Sequence, residues 1–296
     1  MSFLPAREAS TSVTEPRTEQ QSAAFINSSR NVPSSRYAEY LRTQKRKLWL
    51  IRLSRIGVLL LFLAIWELAA SKQWVNPMLT SRPSSIVTSF QELTLEGELF
   101  RHTWITTWET IIGIVVSMAL GTLIAVVFWW SNFAAKVLEP YVVVLNALPK
   151  VALGPIFYIW LGDRYSIYGM AVAISIIVTI IMIESGFKEI SKTKLKLMES
   201  FGATRTQMLT MVLLPASLPN FIATLKVNVG LTLVGVIMGE FLSSKAGLGY
   251  LITYGGQVFQ MNMVMVSIAI LGLLSIVLYG LVDLLGRYAL KNFHYE

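Results

Sequence analysis

Six runs of apolar residues, separated by shorter polar connections, dominate the pattern of this chain. A helix needs about 20 mostly apolar residues to cross a hydrocarbon core. The runs predict spans at 53–71, 105–130, 136–161, 165–184, 217–241 and 263–285. They are continuous rather than alternating and far longer than a barrel strand, which argues against a β-barrel. The expected fold class is all-α: a polytopic membrane protein with six transmembrane helices.

Composition agrees with that pattern. Hydrophobic residues make up 54% of the 296 and charged residues 14%, with a mean hydropathy of +0.58, too apolar for a soluble domain of this length. Residues 1–36 differ: they are polar, lack the apolar segment of a signal peptide, and read as a disordered cytoplasmic tail. The Asn27-Ser28-Ser29 acceptor within them is a chance match on that reading. Arg36–Arg55 sets Tyr37, Tyr40, Leu41, Leu48 and Ile51 near helical spacing among Arg42, Lys45, Arg46 and Lys47. Two readings stay open: an interfacial helix on anionic headgroups, or a basic stop before the first span. The chain thus divides into the tail, a 37–100 segment with that helix, the first span and an outer loop, and a 101–288 core interrupted by a charged island at 188–216.

Charge orients the spans. Near span ends, the side holding the N-terminus carries fourteen Lys/Arg, among them Arg42, Lys136, Lys188, Lys192, Lys194, Lys196, Arg205, Arg287 and Lys291. The other side carries five: Lys72, Arg82, Arg101, Arg164 and Lys245. By the positive-inside rule both termini face the cytoplasm of a cell (plasma, inner) membrane protein. The formal charge of +8 follows from this topology and the basic tail, and gives no case for nucleic-acid binding.

Absences narrow the chemistry. With no cysteine, thiolate and iron–sulfur sites drop out. His102 and His294 lack metal-ligand spacing, so no metal is expected. No phosphate-cradling Gly-Lys loop occurs. No cofactor is expected, no enzyme active site is evident, and any ATP-driven motor must be another polypeptide.

The charged island carries the most specific pattern. Gly202 is followed after nine residues by Val212, then by Leu214-Pro215. This resembles the cytoplasmic coupling loop of ABC-importer permeases, whose pattern is Glu-Ala-Ala, three residues, Gly, nine residues, Ile, one residue, Leu-Pro. Here Lys196-Leu197-Met198 stand where the family has Glu-Ala-Ala, and Glu199 falls one position too late to be the motif acid. Further motifs occur in the family's order: His102-Thr103…Glu109…Gly113…Gly121, then Leu148-Pro149-Lys150-Val151-Ala152-Leu153-Gly154-Pro155…Trp160-Leu161-Gly162, then Gly239-Glu240-Phe241…Gly247-Leu248-Gly249-Tyr250. Together they resemble the nitrate/sulfonate/taurine-type branch of binding-protein-dependent permeases, over roughly 101–287. The Gly-Glu-Phe version leans towards the subgroup carrying thiamine precursors, pyrimidines or riboflavin.

The resemblance implies a type I ABC importer permease fold, a permease homodimer, two copies of an ABC ATPase subunit and an extracytoplasmic solute-binding protein. It implies ATPase coupling through Lys196, Leu197, Met198, Glu199, Gly202, Ala203, Val212, Leu214 and Pro215. From the residues themselves, Gly202 separates two helical stretches and suits a tight reversal with positive φ. Pro215 and Pro219 end the short helix and start the fifth span.

Inside the spans, Pro140, Pro149 and Pro155 predict a kinked or broken third span, placed in the core near a path. Lys150 lies near its middle, where a lysine costs about 2.5–3.5 kcal/mol. It is a translocation-path candidate with Pro149, or else an ion-pair partner of Glu184, Glu109 or Glu240, or a snorkelling side chain. Glu240 is the third path candidate, expected near the outer mouth; helix capping or a salt bridge is its other reading. Lys226 is expected to reach cytoplasmic headgroups. Gly235-x-x-x-Gly239 permits close helix approach, inside the bundle or across a dimer. Gly247–Tyr250 suits either a loop for a docked binding protein or a re-entrant turn. The other class considered, a secondary transporter driven by an ion gradient, calls for paired mid-membrane acids and a second broken helix.

Overall fold

The computed structural model describes residues 35–292. The polar tail, the Asn27 acceptor and His294 lie outside them. Two units are resolved within the chain, one through Ile65 and one from Trp66 onward, and no strand occurs among the described residues.

Helix α1 (Ser35–Ser71) runs without a break through both the basic segment and the first span. From its apolar portion onward almost every large side chain is exposed, Leu48 to Leu68 included. The outer connection holds a single turn, α2 (Pro77–Thr80), and α3 (Pro83–Leu95). Pro83 suits the first turn of α3, where its missing N–H has no helical partner anyway. The Glu67 carboxylate replaces an ordinary cap there: it accepts from the Ser84 amide (3.0 Å) and hydroxyl (2.9 Å) at the positive end of the helix.

Five longer helices and a short one follow. Helix α4 (Glu98–Trp130) begins two turns before the expected 105, its first turn stitched by Glu98 and His102 at 2.9 Å. Helix α5 (Asn132–Ala147) ends where Leu148 turns extended ahead of Pro149. A 3-10 turn (Lys150–Leu153) leads into α6 (Gly154–Glu189), which breaks at Gly162 with φ 73° and ψ 179°, backbone that essentially only glycine adopts. After an excursion described below come α10 (Leu218–Ser243), a short α11 (Leu248–Gln257) and α12 (Met261–Asn292).

Among the described residues, five helices are long and apolar enough to cross a membrane. The expected span 136–161 is not one of them as a continuous helix. The Leu148-Pro149 break divides it, as its prolines predict. A second expectation fails: no residue of α5 is buried within this chain. Tyr141, Val143 and Val144 are all at least 60% exposed, so this segment lies on the outside of the bundle. The sequence signals broken backbone but not which molecule covers it.

The core is the α6–α10 contact with α4 laid across it. Lipid tails are as apolar as leucine, so helix association here rests on close packing and interhelical hydrogen bonds. Gly235 and Gly239 supply the first: a Cβ at Gly235 would sit 2.6 Å from Ala171 Cα, and one at Gly239 2.6 Å from Ile167 Cα. The glycine pair thus packs inside the bundle, backbone against backbone. Asn228 supplies the second, donating to Thr179 Oγ1 at 2.7 Å from the centre of α10. Lys226 does not snorkel freely: its Nζ lies 2.5 Å from Asp283 on α12, which also holds Arg287.

Candidate functional site

The excursion between α6 and α10 is a chain of short helices with an explicit signal at every joint. Helix α7 (Lys192–Ser200) stops at Gly202, whose φ is +77°. There the Gly202 amide donates to Glu199 O (2.9 Å) and the Ala203 amide to Met198 O (3.0 Å). These two bonds satisfy the last carbonyls of α7 in a Schellman turn, which needs a left-handed residue at this position. Thr204 then opens α8 (Arg205–Met208) with a reciprocal capping box to Gln207. A π-turn (Leu209–Leu213) follows, then α9 (Leu214–Ala216). The wide turn carries the Leu214 amide back to Leu209 O, and it immediately precedes Pro215, which has no N–H to offer.

Two anchors tie this excursion to the spans. Leu213 is fully buried in a cluster with Ala125 of α4 and with Ile183 and Phe187 of α6, and Leu209, Leu214 and Phe221 pack around it. Arg205 Nη1 donates to Trp130 O at 2.6 Å, placing a cation on an otherwise unpaired carbonyl at the C-terminal end of α4. Nothing in the sequence marked that contact. Beside it, Asn220 donates to Met182 O (2.7 Å) across the space that Gly186 leaves open.

The residues singled out by sequence therefore separate into two groups. Lys196, Leu197, Glu199 and Gly202 are exposed on α7 and its turn, with Met198 and Ala203 half-buried behind them. Val212, Leu214 and Pro215 are half-buried at the joint into α10, away from that exposed surface. Phe201 (78% exposed) and Met211 (65%) join Leu197 as large apolar side chains open to the outside on a highly charged segment. Their exposure makes this face of the excursion a candidate contact surface.

Of the path candidates, Pro149 and Lys150 lie on the segment after α5 that the chain leaves uncovered. Lys150 Nζ donates to Asn146 O at 3.2 Å, a carbonyl set free by the helix break. None of the three carboxylates offered by the sequence pairs with it among the described residues. Glu184 takes Lys188 at 2.8 Å, and Glu240 is engaged elsewhere. Glu240 itself is 1% exposed, accepting from Thr106 Oγ1 (2.7 Å) and the Gly249 amide (2.5 Å). That geometry is a cap on α11 within this chain, not an open mouth.

A bundle of long apolar helices with an exposed, separately stitched segment between two of them is the class that fold and site define. Residues 113–292 match the family described as the inner membrane component of binding-protein-dependent transport systems. The chain belongs to that family: it is the permease subunit of an ABC importer, a transport component rather than an enzyme. The family also decides against the ion-gradient-driven alternative. A Halalkalibacterium halodurans relative named as a formylaminopyrimidine transport permease is 31% identical, over 64% of this chain and 76% of its own. A Bacillus subtilis relative named for aliphatic sulfonate transport is 28% identical, over 79% of this chain and 86% of its own. The fold is that of the inward-facing MetNI methionine ABC transporter permease (TM-score 0.59, 16% identity), over 66% of this chain and 97% of that one. The family's binding-protein-dependent character implies an ATPase and a solute-binding protein as partners, and its membership places the chain in an inner membrane.

Proposed function

We propose that two copies of this permease face each other across a path for a small polar or anionic organic solute, each docking one ATPase subunit through the α7–Gly202 segment. The carrying observation is the uncovered break between Leu148 and Leu153. Irregular backbone at membrane depth is tolerated only against protein or a water-filled cavity, which supports a second subunit or a wet path at this surface rather than lipid. Lys150 on that surface suits an anionic or polar solute. The sulfonate- and formylaminopyrimidine-named relatives support the same solute class. The test is ATP hydrolysis by the reconstituted complex while candidate solutes are supplied on the binding protein. Stimulation is expected from small organic anions or pyrimidine-like solutes, and Lys150→Met should raise the half-maximal solute concentration several-fold without loss of assembly. Unchanged kinetics with reduced stability would assign Lys150 a purely structural role.

The α7 segment is assigned to the cytoplasm, with both termini, on the charge bias of the span ends. Ser191 and Lys245 are both exposed and flank the single span α10. Cysteines placed singly at Ser191 and Lys245 should label from the cytoplasmic and outer faces respectively. Labelling of both from one face overturns the orientation.

A further inference from the structure

Helix α7 has two unlike faces. Lys192, Leu195, Lys196 and Glu199 recur at intervals of three and four, which stacks them along one side of the helix. Leu197 and Phe201, four residues apart, fall on the opposite side and belong to the exposed apolar surface described above. The first face forms one wall of a cavity of about 330 Å³. Its other walls are Trp129 and Asn132, at the joint between α4 and α5, and Arg205 and Met208 of α8.

Charge in this cavity is unbalanced. Lys192, Lys196 and Arg205 face a single carboxylate, that of Glu199, and none of the four forms an ion pair among the described residues. Arg205 commits Nη1 to Trp130 O, which leaves most of its five N–H donors available. An adjoining cavity of about 310 Å³ shares Trp129 and Asn132 but is matched in charge: its Lys188 is held by Glu184 at 2.8 Å and faces Glu139 at 3.8 Å. The surplus of cations is therefore a property of the one cavity and not of this whole end of the bundle.

Depth narrows the choice of anion. Trp129 and Trp130 close the apolar run of α4, and Asn132 and Lys136 open α5. The cavity thus lies where hydrocarbon gives way to headgroups, the level at which tryptophan concentrates. Its wall is amphipathic, with Trp129, Leu195 and Met208 beside the three cations. An inorganic anion would occupy the cationic half and leave the apolar half wet. A phospholipid offers a phosphate to the cations and a glycerol–acyl stem to the apolar side chains. Basic pockets between membrane helices bind anionic headgroups in this way.

We propose that this cavity binds the headgroup of an anionic phospholipid, which braces α7 against the α4–α5 joint from the side opposite Leu197 and Phe201. The test is a lipid titration of the purified permease–ATPase complex, read by native mass spectrometry, with phosphatidylglycerol against phosphatidylcholine. The complex is expected to bind phosphatidylglycerol in preference. Lys192→Gln should weaken that binding about fivefold, and Lys192→Gln with Lys196→Gln about 30-fold. Lys194 is exposed on the side of Leu197 and Phe201, so Lys194→Gln removes the same charge from the same helix and should stay within about twofold of the parent. Equal losses in Lys192→Gln and Lys194→Gln would reveal a diffuse basic surface and overturn the proposal, as would the absence of any preference between the two lipids. Displacement of the lipid by millimolar inorganic phosphate would also overturn it, making this a site for the free ion. Binding seen only after the ATPase is removed would give the cavity to that partner instead. If the double variant does not retain the ATPase, the comparison of Lys192→Gln with Lys194→Gln decides alone. Lipid occupancy is read without transport, so failure here is separate from failure of the solute-path reading.

Discussion

Gly202→Asp is expected to leave the permease inserted and folded but unable to retain its ATPase, with uptake abolished. Two observations make the loss specific. A Cβ at Gly202 meets nothing within 4 Å in this chain, and Asp is among the few residues that visit the left-handed conformation seen there (φ +77°). The Schellman turn and the bundle should therefore survive. What changes is the outer surface between Phe201 and Ala203, where a charge and added volume would enter the partner's groove. An unpaired charge buried at an interface costs about 2–5 kcal/mol, a loss of affinity of about 30-fold at the low end. Pull-down of the ATPase and solute uptake, measured in the same cells, check this. Retained ATPase with normal uptake would remove this turn from the coupling surface.

Gly235→Leu is expected to prevent accumulation of folded protein altogether. The atoms that its Cβ would meet are Ala171 Cα (2.6 Å), Met170 O (2.9 Å) and Ala171 N (3.0 Å), all backbone of α6. No side chain can rotate away, so α6 and α10 must separate, and the Asn228–Thr179 bond that also joins them is strained with them. Overpacking a well-packed site costs about 1–3 kcal/mol or more, and a site bounded by backbone belongs at the upper end. Gly230, on the same helix, has nothing within 4 Å of its Cβ. Gly230→Leu should stay within about 0.5 kcal/mol of the parent. The amount of folded protein that each variant yields in detergent is the comparison, and equal yields with equal thermal unfolding would show that close approach at Gly235 is not what holds this pair together.

These two glycines also show what the sequence made legible. Gly202 stood at a fixed distance from Leu214-Pro215 between charged helical stretches, so a reversal there followed from local chemistry. Gly235 and Gly239 announced close approach by their spacing, and the prolines announced a broken third span. Each signal acts through backbone within a few residues. The contacts that escaped are those whose partners are distant in sequence. Arg205 reaches Trp130 across 75 residues, and Lys226 reaches Asp283 across 57. Gly247 and His102 lie 145 residues apart. Composition says that such groups need partners but cannot say which. The placement of α5 escaped for a different reason: an outer helix and a buried one are both apolar and interrupted, and only the packed chain distinguishes them.

The short piece from Leu148 to Gly162 has a mechanical consequence. It is bounded at one end by the extended Leu148 and Pro149 and at the other by the φ 73°, ψ 179° backbone of Gly162. Regular helical geometry is already interrupted at both boundaries. Swivelling this panel about them asks little further rupture of α5 or of the long part of α6, since the cost of breaking the helical ladder was met when the chain folded. The panel carries Lys150, so turning it about those boundaries would redirect a charge, against the packing of Gly154 on Leu242 of α10 and of Phe157 and Leu161 on Gly169 of α6.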